Sequence, residues 1–244
     1  MSTIRVDPFG WDSEHAVWPK KVSLVITKVP IRKKDGFSSA KFKDFSEKLF
    51  NSMIANSVVF LVCYAPTEDR GRPFEICRSM VEAGFSHIDN IIIEKTWIPG
   101  KRSETNLVNA YEFVLFFAKG KKYQIDRSPV REYSSIPEGV LKDYSSISNE
   151  RIIERPAVPR EQTCIGNLWL VQTDSLDDSI PNDLAELLML FSAVLPGSLI
   201  FDPFGGAKSL IKAAAKYGHS LHILEGDPHR FKILQKTLEK INNS

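Results

Sequence analysis

Apolar positions recur along this chain in two periods, and the switches between them lay out its elements. Residues 22–26 (VSLVI) read as a strand buried on both faces. Residues 42–54 carry apolar side chains at 42, 45, 49, 50, 53 and 54, the spacing of an amphipathic helix. A second buried strand spans 57–64 (SVVFLVCY), and a helix over 73–83 ends before Gly84. Residues 88–95 and 111–118 (YEFVLFFA) read as two strands joined by the polar loop 97–109. From 120 to 161 the pattern dissolves into Ser, Pro and charged residues. Order returns with strands at 166–171, 198–201 and 220–225, and helices at 181–194, 206–217 and 228–241. Strands alternating with helices imply βαβ units and a mostly parallel, doubly wound α/β sheet, with the pair at 88–118 a candidate for antiparallel pairing.

Composition narrows the class. The length of 244 residues suits a single domain. It divides at 22–119, an irregular linker or reduced recognition region at 120–165, and 166–244. Three widely spaced cysteines offer no zinc spacing and read as free thiols, so no metal is expected. No apolar run is long enough for a membrane span, and the acidic N-terminus is unlike a signal peptide; an intracellular protein is expected. The net charge of +2 does not by itself announce a nucleic-acid binder.

The chemistry concentrates at two places. Residues 198–209 (SLIFDPFGGAKS) form a strand, a glycine turn and a helix start, the arrangement beside which open α/β sheets bind ligands. Glu225, at the end of the next strand, suits ribose hydroxyls. Nearer the N-terminus, Asp7-Pro8-Phe9-Gly10-Trp11 carries an acid and aromatics but follows no apolar strand, and reads as a turn.

Residues 181–206 (PNDLAELLMLFSAVLPGSLIFDPFGG) resemble the join between motifs X and I of the β-class, S-adenosylmethionine-dependent DNA amino-methyltransferases, which act on N6-adenine or N4-cytosine. The resemblance extends over 22–119 and 166–241. It implies a Rossmann-like methyltransferase sheet in permuted order, with the motif IV region before motifs X and I. It also implies that Asp202, Phe204, Gly205, Gly206 and Glu225 hold S-adenosylmethionine. Lys208 stands where the family has its last turn glycine, and Ser209-Leu210 replace Thr-Thr. The permuted order places the catalytic tetrapeptide, of the type Asp-Pro-Pro-Tyr, at Lys28-Val29-Pro30-Ile31. Lysine has donors only where the target amine needs an acceptor, and isoleucine has no ring to stack on a flipped base.

The resemblance therefore implies a DNA-methyltransferase-like protein that is catalytically silent and serves as a DNA-binding or regulatory partner subunit of an active methyltransferase. Two other readings are an active enzyme with a divergent motif and a non-enzymatic interaction scaffold. Arg32, Lys33, Lys34, Lys101, Arg102, Lys119, Lys121 and Lys122 are the expected DNA-phosphate contacts, provided their loops share one rim. Trp97 reads as a half-buried anchor or a base-stacking ring. Residues 120–165 are too few for a separate target-reading domain.

Overall fold

The computed structural model describes residues 2–30, 39–64, 69–94, 111–131, 168–170 and 180–243. Its strands are β1 (Ile4–Asp7), β2 (Val22–Lys28), β3 (Met53–Cys63), β4 (Ser86–Glu94), β5 (Tyr111–Lys119), β6 (Leu168–Leu170), β7 (Leu199–Asp202) and β8 (Ser220–Leu224). The helices are α1 (Ser39–Ser52), α2 (Arg72–Glu82), α3 (Ser128–Arg131), α4 (Asn182–Phe191), α5 (Lys208–Tyr217) and α6 (Pro228–Asn242).

These strands join one sheet in the order β1-β8-β7-β2-β3-β5-β4-β6. Every neighbouring pair is parallel except those made by β5, which runs antiparallel to both β3 and β4. The expected mostly parallel, doubly wound sheet is thus observed. Because β5 is reversed, its start lies at the carboxyl end of β3 and its last residue, Lys119, pairs with Ser57 at the other end.

Side chains alternate between two cores. Leu24, Ile26, Phe60, Val62, Val114 and Phe116 pack under Leu184 and Leu188 of α4, Leu210 and Ala214 of α5, and Leu234 of α6. Val25, Val59, Leu61, Leu115 and Phe117 face Phe42, Phe45 and Leu49 of α1 and Ile76 and Met80 of α2. Val22 joins the second core although it lies two residues before Leu24, because the β2–β3 register shifts between them.

Two short elements depart from the sequence reading. A strand does precede Pro8: β1 occupies one edge of the sheet, and only Asp7 of its four residues is buried. The other is α3, a single turn packed on α4 within a stretch that carries no periodicity. Elsewhere the elements shift only at their ends. Met53 and Ile54 belong to β3 rather than to the preceding helix.

Candidate functional site

The sheet order reverses direction between β7 and β2, since β7 leads outward to β8 and β2 leads the other way to β3. Such a switch point opens a crevice at the carboxyl ends of the strands. Both places singled out in the sequence meet there.

Asp202 ends β7 and is fully buried. Its Oδ1 accepts from the Thr27 hydroxyl at 2.5 Å and from the Gly205 N–H at 3.1 Å. The Phe204 N–H lies 3.4 Å from the same Thr27 oxygen. Thr27 of β2 therefore pins the glycine turn of the neighbouring strand. Burial raises the Asp202 carboxyl to about 7, against the opposing pull of these donors.

Gly205 has φ +69°, and a Cβ there would stand 2.6 Å from the Leu224 carbonyl oxygen and 2.7 Å from Glu225 Oε2. Only glycine fits this turn. Gly206 continues it at φ +83°. Phe204 gives its backbone to the turn, while its ring stacks on Phe45 at 4.7 Å and meets Trp11 edge-on at 5.9 Å. Lys208 opens α5, half-buried, directly after the turn. Ser209 donates to the Ile180 carbonyl at 2.7 Å, tying the start of α5 to the segment that enters α4.

Glu225 follows β8 and is buried, which raises its carboxyl above the ordinary range. Oε1 accepts from the Asp227 N–H at 2.8 Å. Asp227 in turn caps α6 through the N–H groups of His229 and Arg230. Glu225 Oε2 and Asp202 Oδ2 are buried without a hydrogen-bond partner among the described residues. Buried polar atoms of this kind normally have partners, which makes these two acceptors beside a glycine turn candidates for a ligand's contacts.

The segment after β1 borders the same crevice. The Asp7 carbonyl accepts from the Glu225 N–H at 3.0 Å, and a Cβ at Gly226 would meet the Gly10 backbone at 2.9 Å. The Asp7 carboxylate is taken by Arg5 at 2.6 Å and by His222 at 2.9 Å. β8 and β7 stand between β1 and β2, so Asp7 is not placed with the tetrapeptide.

At the tetrapeptide, Lys28 ends β2 and its Nζ pairs with Glu112 Oε1 at 3.0 Å, spanning β3. The two side chains are only 11% and 4% exposed, which makes this a buried ion pair. The Val29 N–H donates to the Val62 carbonyl at 2.9 Å and its side chain enters the α1–α2 core. The Pro30 carbonyl accepts from buried Arg72 at 2.6 Å. Ile31 lies outside the described residues.

Of the expected phosphate contacts, Arg32, Lys33, Lys34, Lys101 and Arg102 lie outside the described residues, as does Trp97. Lys119, Lys121 and Lys122 fall at the opposite end of the sheet from the crevice, because β5 is reversed. Lys119 donates to the carbonyls of Phe50 (2.5 Å) and Met53 (2.7 Å), with its ammonium 4.2 Å from the Phe50 ring centroid. It closes the end of α1, and these three residues do not border the crevice. Among the described residues there is no cluster of metal-ligating groups and no helix long and apolar enough to cross a membrane.

Thr27, Arg72 and Glu112 are site residues that the sequence reading passed over. Only Glu112, an acid inside an otherwise apolar strand, carried a signal.

Comparison with known proteins places the chain in a family. The family model described as DNA methylase, of the N6/N4 methyltransferase type, matches residues 22–236. Among solved structures, the complex of M1.HpyAVI with S-adenosylmethionine superposes with a TM-score of 0.63 at 16% identity, covering 97% of this chain and 100% of that one. TTHA0409 from Thermus thermophilus, complexed with S-adenosyl-L-methionine, gives 0.62 at 18% identity, covering 99% and 94%. The cytosine-N4-specific PvuII DNA methyltransferase gives 0.62 at 14%, covering 99% and 93%. At these identities the structural likeness establishes the fold. No curated protein sequence matches. The match over residues 22–236 makes this chain a member of the N6/N4 DNA methylase family.

Proposed function

We propose that this chain binds S-adenosylmethionine but does not methylate DNA, and that it acts as a DNA-binding or regulatory subunit beside an active methyltransferase. The observation that carries the reading is the Lys28–Glu112 ion pair. The strand end where the family presents an acceptor for the target amine holds an ammonium, already bonded to a buried carboxylate. An amine held for transfer needs lone pairs facing it, and Lys28 has none to offer.

The glycine turn supports retention of the cofactor. Glu225 Oε2 is a buried acceptor suited to ribose hydroxyls, and glycine at 205 lets the turn close against Leu224 and Glu225, which keeps that acceptor beside the turn. Residues 202–206 and 225 would hold the adenosyl group, whose chemistry when bound is a transferable methyl. Two relatives of the same fold are complexes with that molecule.

A second reading, an active enzyme, has one observation in its favour. Glu112 brings a buried carboxylate to the same end of the sheet and stands as a substitute acceptor. A radiolabelled methyl assay on duplex and single-stranded DNA separates the two. No incorporation is expected. Incorporation that Glu112→Gln abolishes would establish the second reading.

A further inference from the structure

Two carboxylates flank the Gly205 turn, and each keeps one oxygen buried with no partner among the described residues: Asp202 Oδ2 and Glu225 Oε2. They are close neighbours, since a Cβ on Gly205 would lie 2.7 Å from Glu225 Oε2 while the Gly205 N–H bonds Asp202 Oδ1 at 3.1 Å. Two buried anions around one turn repel one another, and each also loses hydration.

The surrounding groups do not offset burial. Asp202 receives hydrogen bonds from the Thr27 hydroxyl and the Gly205 amide, both neutral. Glu225 is drawn down by the Asp227 and Gly206 amides and by Arg230 of α6, whose Nη1 lies 3.7 Å from where a Gly206 Cβ would stand; Asp227 pushes it up, and burial outweighs them all. From β1 and β8, Asp7 and His222 satisfy one another. Lys28 of β2 is committed to Glu112, and Lys208 opens α5.

We propose that, in the ligand-free protein near neutrality, Asp202 and Glu225 together hold one proton and give it up to solvent when a cationic adenosyl ligand is bound. The release half rests on the cofactor reading above; the shared proton does not. Burial raises both groups, Asp202 to about 7, in the direction this requires. The proton belongs to the pair rather than to either residue. A sulfonium cation and ribose hydroxyls favour the ionised form, so they lower the pair's titration and expel the proton. Between the bound and free titration points, affinity rises with pH by up to about tenfold per unit, and it levels off above about 7.

Two measurements test this. Infrared titration of the ligand-free protein should show a protonated-carboxyl band at about pH 6 that fades by about pH 8 and is lost in Asp202→Asn. Calorimetry with S-adenosylmethionine at about pH 6, in buffers of differing ionisation enthalpy, should report release approaching one proton, falling toward zero above about pH 8. No such band in the wild-type protein overturns the shared proton, whether or not the cofactor binds. Binding without proton release overturns the coupling. A band together with no binding at any pH would keep the shared proton and remove the cofactor reading.

Discussion

At the scale of single residues, the site is governed by who neutralises whom. Removing the ammonium at Lys28 strips a cation from a buried carboxylate, a loss of roughly 3–5 kcal/mol where one partner of a buried pair is deleted. Lys28→Met should therefore lower the denaturation midpoint sharply. Lys28→Met combined with Glu112→Leu should recover most of that loss, because both charges then leave together. A double variant no more stable than the single one would show that the pair is not coupled. Lys208 poses a different question. A half-buried cation opens the helix beside the turn proposed to hold a cationic ligand, and like charges repel. Calorimetry should find weak S-adenosylmethionine binding that Lys208→Gly strengthens several-fold; weakening would instead make Lys208 a cofactor contact.

At the scale of elements, the reversed strand β5 redistributes the basic residues. Its last residue, Lys119, bonds carbonyls at the end of α1, and hydrogen bonds from charged donors contribute about 1.5–3 kcal/mol. Lys119→Met should lower thermal stability and leave DNA affinity unchanged, measured by melting and by fluorescence anisotropy. The long helices and central strands were legible because their periods repeat over two or more turns. β1 was not: with one buried residue in four it has almost no pattern, and pairing with β8 forms it. The glycine turn and Glu225 were legible because their logic is local, a turn glycine and an acid closing the next strand. Thr27 and Arg72 were not, and Glu112 showed only as a lone acid in an apolar strand, since their partners lie 175, 42 and 84 residues away in sequence. Only the sheet order brings those ends together.

At the scale of the whole molecule, one strand ties two regions together: Thr27 of β2 secures the glycine turn after β7, and the next residue, Lys28, reaches across β3 to Glu112 of β5. The proposed partner role is tested on the protein as it exists in its source. Affinity purification from the native source, followed by sizing, should recover a complex containing a methyltransferase. A lone monomer with no such companion would count against the partner role. The Lys28–Glu112 pair also has a historical consequence. A lineage carrying it cannot place an acid at position 28 in one step without a folding cost, because an aspartate there would face Glu112 inside the protein, like charge against like. Changing Glu112 first would leave the Lys28 ammonium without the carboxylate it now faces. Each single change crosses a valley set by folding. The pair is an epistatic lock: positions 28 and 112 change together, or one at a time at a cost in stability.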